Sequence, residues 1–434
     1  SQRRKNPMSK KLGHLAVSGR WDNWVAIIDV EKALLPENDS TDHAVISRPR
    51  VTPDVDCDGD GIPETPASGQ PVVVTVDQDG QFAYVVNHSG AATPAAAGQY
   101  QHGHPGLITV LDLDDALDPA NDGTLGAVAA FMPTGRTGPV GAGLTPDGKT
   151  LLVNCGEAAG SEDGGNELTA IDISTRQPVC HIPLKENHLH PARGPSRHDS
   201  PHPSFGRYPN PTGLAITPLN GGTAFIGNGG FSDVSVIDIR AALAGDPAAE
   251  LNRVAVETGP FGLAASRDGT LVAVAARESM SEAHEGSTIS IIDVARAVAG
   301  GKDAEVARVH VGSDDRAERT RPFAVCFTPD GRHVVATCFR ANTISLIDVR
   351  DAIAGRRSEV LRLHPQAPGG ATPRPRGITM VGDRYAAIIG GAKTGSRSSI
   401  VWLLDLPAGR IVSTVTEVGN ESYMLDSIPF RAAR

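Results

Sequence analysis

Residues 259–279 read GPFGLAASRDGTLVAVAARES, residues 288–294 read TISIIDV and residues 307–312 read ARVHVG. The next stretch repeats the plan, with RPFAVCFTPDGRHVVATCFRANTISLIDV over 321–349 and VLRLH over 360–364. Each unit holds four short apolar runs of strand length, here called a to d. Strand a opens at a Pro-x-Gly-like step, at Pro139-Val140-Gly141, Pro211-Thr212-Gly213, Pro260-Phe261-Gly262 and Pro375-Arg376-Gly377. An Asp-Gly turn joins a to b at Asp79-Gly80, Asp147-Gly148, Asp268-Gly269 and Asp330-Gly331. Glycine suits the turn because it accepts a positive φ without a Cβ clash. Strand c ends at an Ile/Leu-Asp pair, found at Ile28-Asp29, Leu111-Asp112, Ile171-Asp172, Ile237-Asp238, Ile292-Asp293, Ile347-Asp348 and Leu404-Asp405. The last four copies lie 55, 55 and 57 residues apart, and the wider early gaps hold insertions. Several copies carry a short helical turn (EKAL, DDAL, RAAL, ARAV, RDAI) before strand d.

Four-stranded units at this spacing predict the blades of a β-propeller. The N-terminal part supplies only strands b, c and d, in HLAVSGR, WVAIIDV and HAVIS, while the chain ends in one unpaired strand, Tyr423 to Phe430. That last strand is expected to serve as strand a of the first blade, closing the ring and hiding its edges. The expected fold is therefore all-β: one seven-bladed propeller of four-stranded antiparallel blades over residues 1–434. The pattern P-x-G…S/T-P-D-G…ID resembles the YVTN family of seven-bladed propellers, which includes lactonase-like proteins. The resemblance covers nearly the whole chain and implies the fold. It is almost silent about activity, because this architecture hosts binders, lactonases, lyases and metalloenzymes alike.

Composition narrows the field. Gly (48) and Pro (32) are abundant and aromatics are 4%, which argues against a helical bundle. With 40% apolar and 21% charged residues the chain is not of disordered type. The net charge is −10, and the absence of a dense Lys/Arg stripe disfavours a nucleic-acid partner. No apolar run approaches the ~18 residues of a membrane span. Five cysteines without a CxxC pair do not support a cysteine zinc site. Cys155, Cys180, Cys326 and Cys338 read as small buried hydrophobes. The opening SQRRKNPMSKK has neither an initial Met nor an apolar h-region, so a signal peptide already removed and a periplasmic or secreted location are expected.

Propeller topology puts the d–a and b–c connections on one face, here the top. Three insertions fall there, over residues 48–70, 87–106 and 185–211. The first contains DVDCDGDGIPET. Asp56, Asp58 and Asp60 alternate, Gly61 permits a sharp turn and Glu64 follows, so these carboxylates with the Ile62 carbonyl are expected to wrap one structural Ca²⁺, the plainer alternative being a solvated acidic turn. The run resembles the DxDGDGIPD calcium loops of thrombospondin type 3 repeats. The other two insertions carry seven of the fourteen histidines. Among them His88, His102, His104, His188 and His190 include two His-x-His pairs, and imidazoles so spaced suit copper or zinc. The plainer alternative is a polar loop that binds nothing. Aligning the units also places Arg20, His88, Arg277, Arg340 and Lys393 near the ends of strand b in five blades, a cationic rim suited to a carboxylate or another anion. Its plainer alternative is ion pairing with neighbours such as Asp22, Glu278 and Asp233.

Three functions follow in order of support. The first is an extracytoplasmic binding propeller with a calcium-braced loop and a top-face site for a small anionic ligand or a protein partner. The second is a metal-dependent oxidoreductase of copper type, similar to thiocyanate dehydrogenase and to the propeller domain of nitrous oxide reductase. The sequence departs from these because blades 6 and 7 offer Arg340 and Lys393 at the rim, not His. The third is a lactonase-like hydrolase, suggested by fold neighbours alone. No G-x-S-x-G, HExxH or P-loop motif is present.

Overall fold

The computed structural model describes residues 11–56, 60–66, 68–88, 105–156, 167–184, 209–218, 222–278, 285–392 and 397–431. Of the expected site residues, Asp58, His102, His104, His188, His190 and Lys393 lie outside them. The described strands form seven four-stranded antiparallel sheets. Strand a of each blade contacts strand a of both neighbours, so the innermost strands close a ring about a central axis. The closing strand is Ser422–Ile428, which pairs antiparallel with His14–Gly19, Leu15 opposite Ser427 and Val17 opposite Leu425. Blade 1 is thus built from the two ends of the chain, as the sequence predicts.

The alternation of side chains on each strand explains the packing. Ile27 faces blade 2 and Ile28 faces blade 7, and the same division holds around the ring. The described apolar core accordingly consists of seven clusters, one between each pair of adjacent blades. Strand d, the outer edge, is pinned by a polar repeat. In blades 4, 5 and 6 a Ser on strand c donates to a Glu on strand d, and an Arg three residues later grips the same Glu. The triplets are Ser235–Glu250–Arg253, Ser290–Glu305–Arg308 and Ser345–Glu359–Arg362.

The Asp-Gly connection is longer than a two-residue hairpin. Thr145 N–H bonds to Thr150 O, and Gly148 sits at φ +68 where an L side chain would be strained. The Thr145 hydroxyl donates to Asp147 (2.7 Å), whose carboxylate also accepts Lys149 N–H (3.1 Å). Ser266–Asp268 and Thr328–Asp330 repeat this clasp, and in all three the hydrogen bonds hold the Asp below its usual pKa. The Asp ending strand c caps the following helical turn: Asp29, Asp238, Asp293 and Asp348 each accept a backbone N–H three residues on.

The closing strand carries a charged group in an unusual place. Asp426 lines the channel wall, half-buried by area but enclosed by protein, accepting N–H bonds from Val76 (2.9 Å) in blade 2 and Ser427 (2.8 Å) and a hydroxyl bond from Thr379 (3.3 Å) in blade 7. Desolvation outweighs these bonds and lifts its pKa to about 6. A raised carboxyl pKa contributes stability below the unfolded value near 4, and that contribution is lost as pH rises through 6. Asp426→Asn, which does not titrate, should gain stability relative to wild type between pH 4 and pH 7, by roughly 2 kcal/mol. Urea unfolding of both proteins across that range checks it; a difference independent of pH refutes the assignment.

Candidate functional site at the channel mouth

One backbone device positions the top face. The residue just before strand a, or before its leading proline, has positive φ in every blade: Gln70, Gly138, Asn210, Gly259, Arg321, Arg374 and Glu421. Here the chain turns from the outer edge of one blade to the inner strand of the next. In blades 2 to 6 the carbonyl of this residue accepts the backbone N–H of the residue just past strand b, at 2.9–3.0 Å: His88, Gly156, Gly229, Arg277 and Phe339. In these five blades a left-handed residue thus fixes the backbone just past strand b, which carries a side chain at His88, Arg277 and Phe339.

The register sorts the predicted cations. His14, Phe82 and Leu271 pair with the strand-c aspartates 29, 112 and 293. Arg20, His88 and Arg277 each stand six residues later (20−14, 88−82, 277−271) and so share one position. Arg340 falls one place further on (340−333 = 7), and Phe339 holds the equivalent position in blade 6. Arg340 is half-exposed and pairs with Glu285.

Arg277 lies over the rings of Phe261 (4.3 Å) and Phe323 (4.9 Å), 3.3 Å from Glu278 and 3.4 Å from the Tyr423 hydroxyl. Arg20 lies over Trp21 (5.0 Å) and Tyr423 (5.1 Å), 3.7 Å from Glu421. Trp21 Nε1–H donates to the other Glu421 oxygen (2.6 Å). Arg321 bridges Glu278 and Glu285, and both Arg321 and Arg374 stack on Phe339. Burial, with Arg277 as neighbour, draws the Arg321 pKa down from its ordinary value. The aromatics meet one another too: Phe261–Phe323 at 4.8 Å, Phe323–Tyr423 at 5.0 Å and Phe261–Tyr423 at 6.1 Å. Phe261 belongs to blade 5 and Tyr423 to blade 1, which are not neighbours, so the rings meet over the channel and form its floor.

Sequence reasoning aligned Arg20 and Arg277 correctly, set Arg340 where Phe339 stands, and did not reveal Arg321, Arg374, Glu421 or the aromatic floor. Two signals were present. Phe261, Phe323 and Tyr423 each follow the first residue of strand a or its equivalent, in a chain with 4% aromatics. Arg321 and Arg374 each precede a strand-a proline. Of the proposed neighbours, Glu278 does pair with Arg277, whereas Asp233 pairs with Arg253. Asp22 accepts Asn420 N–H (2.7 Å), and desolvation lifts its pKa to about 6.

His88 is buried, and its Nδ1–H donates to the Pro139 carbonyl (3.1 Å). That bond sets the tautomer and makes Nε2 the acceptor of the ring. In the acidic loop, Val55 and Glu64 exchange backbone hydrogen bonds (2.9 and 2.8 Å). Asp56 accepts Gly61 N–H (2.9 Å), Asp60 accepts Ile62 N–H (2.8 Å), and Gly61 adopts φ +87. One carboxylate oxygen from each of Asp56, Asp60 and Glu64 then lies within 4.8 Å of the others. The Ile62 side chain stands in solvent, 63% exposed.

Glu278, its side chain 3% exposed, separates two guanidinium groups. Glu278→Ala should cost about 3 kcal/mol, because it leaves Arg277 and Arg321 facing each other without their shared anion. Chemical denaturation measures this, and a loss below ~1 kcal/mol would show the pairing to be incidental.

No family model matches the chain, and no curated protein sequence matches it. Solved structures do. The periplasmic gluconolactonase of Pseudomonas aeruginosa aligns with a TM-score of 0.60 and 15% identity over 95% of this chain and 98% of that one. Hydrazine synthase of Kuenenia stuttgartiensis aligns at 0.52 and 19% over 80% of each chain. A dihydro-heme d1 dehydrogenase aligns at 0.51 and 13%, over 99% of this chain and 78% of that one. At these identities the likeness is one of fold: this chain is an all-β, seven-bladed propeller. No helix among the described residues is long and apolar enough to cross a membrane.

Proposed function

We propose that this protein is an extracytoplasmic binding propeller that holds a small anionic ligand at the top mouth of its channel. The observation that carries the reading is the placement of Arg321, Arg374 and Glu421 at left-handed backbone positions. Glycine meets the same need at 138 and 259 without strain. A non-glycine residue there costs about 1–2 kcal/mol, and such strain concentrates at functional sites. Charge supports it. Arg20, Arg277, Arg321, Arg340 and Arg374 bring five positive charges and Glu278, Glu285 and Glu421 three negative, an excess of two among these eight residues (5 − 3). That excess sits on a chain of net charge −10, and it would draw an anion to the mouth. The aromatic floor lowers the local dielectric and orients the guanidinium planes. The extracytoplasmic placement rests on the resemblance of the acidic loop to extracellular calcium loops and on the periplasmic location of the Pseudomonas neighbour. In this reading Asp56, Asp60 and Glu64, with Asp58 and the Ile62 carbonyl, hold a structural Ca²⁺ that offsets their mutual repulsion.

A second reading, a copper or zinc enzyme, is favoured by one observation. The His88 tautomer presents Nε2 as a ligand atom, which His102, His104, His188 and His190 would join. A third, lactone hydrolysis, draws only on the names of neighbours, a gluconolactonase and a 6-phosphogluconolactonase-like propeller.

Titration calorimetry with gluconate, succinate and inorganic phosphate tests the anion site. At least one should bind, and Arg277→Ala should weaken it about tenfold or more, equivalent to one charge-assisted hydrogen bond. No binding of any of the three to wild type would sink the reading. Elemental analysis of natively purified protein tests the metals. About one calcium per chain, lost in Asp60→Ala along with a drop in Tm, is expected. Stoichiometric copper or zinc that disappears in His88→Ala would instead put the enzyme first.

A further inference from the structure

Arg376 is the structure's unresolved charge. It begins the inner run of blade 7 and is 1% exposed. Its Nη2 donates to Gly390 O (3.3 Å) and Ser399 Oγ (3.4 Å), both long bonds. Nε and Nη1 are buried without a partner among the described residues. The Ser422 hydroxyl, in a residue whose N–H bonds to the same Ser399 Oγ (2.8 Å), is buried and unpartnered as well. Glu421 is the carboxylate that acts on Arg376, but it is already engaged by Trp21 and Arg20. Arg374 adds to the positive field. Two buried guanidinium groups, Arg20 and Arg376, therefore share one carboxylate. A buried charge is tolerated only when paired and hydrogen-bonded. Burial and the neighbouring arginines lower the Arg376 pKa to about 10, which still leaves it charged at neutral pH. Water could satisfy the N–H groups but would not neutralise them.

We infer that a small inorganic anion of halide size is bound between blades 7 and 1, held by Arg376 Nε–H and Nη1–H with the Ser422 hydroxyl. It is distinct from the ligand at the channel mouth and does not depend on that reading. Arg376 is buried, so an organic acid would have to displace the chain that covers it. Because Ser422 opens the closing strand, the ion would brace the seam where the two ends of the chain meet.

Thermal unfolding of the full chain at pH 7.5 and constant ionic strength, with chloride or bromide replaced by methanesulfonate, tests it. The halide is expected to raise Tm by roughly 2–4 °C with a saturating dependence on concentration. Arg376→Met should abolish the gain, and Ser422→Ala should shift its midpoint to higher halide. If Arg376→Met does not fold, Ser422→Ala and the anomalous signal of a bromide-soaked wild-type crystal decide. Equal Tm in halide and methanesulfonate, no bromide peak beside Arg376, or a halide gain undiminished in the variants would each overturn the inference.

Discussion

The path from the outer strand of one blade to the innermost strand of the next constrains everything else. The chain must reverse sharply at the top of the channel seven times, and it does so through one left-handed residue ahead of each strand a. That residue's carbonyl then fixes the end of strand b in most blades. The turn serving blade-to-blade connection therefore also aims side chains at the mouth. Scaffold and site are not separate layers here: Arg277 is presented by a hydrogen bond to the same turn that starts strand a of blade 5.

Most of the fold is legible in local sequence because a propeller repeats local rules. Asp-Gly after a hydroxyl residue, a Pro-led strand and an Asp that caps a helical turn are all satisfied within a few residues, so they leave a readable trace. Even so, the turn holding Asp147 and Gly148 is longer than the dipeptide suggests, because Thr145 and Asp147 build an extra side-chain clasp. The site is less legible because its contacts are remote. Trp21 meets Glu421 and Arg277 meets Tyr423 only after the ring has closed. A rim of arginines can be aligned from repeats; which carboxylates oppose them cannot.

The electrostatics of the mouth explain why arginine suits its described positions better than lysine. Arg20, Arg277 and Arg321 each do two things at once, lying over an aromatic ring and pointing N–H groups at a carboxylate, which a compact ammonium cannot combine. The blades contribute unequally. Phe261, Phe323, Phe339 and Tyr423 come from blades 5, 6 and 1, while blades 2 to 4 present residues such as Val72, Val140 and Thr212 at the start of strand a. Among the described residues, a near-symmetric frame thus carries a one-sided cluster of aromatic and charged side chains.

Closure by the last strand also has a temporal side. His14 cannot meet Ile428 until some 414 residues (428 − 14) have been made. At ~5–20 residues per second this leaves the edge of the His14–Gly19 strand unpaired for roughly 20–80 s of synthesis. For that interval an apolar edge strand is open to pairing with any other extended chain. Blades 2 to 6 can stack in order as they emerge, but the first blade is finished last.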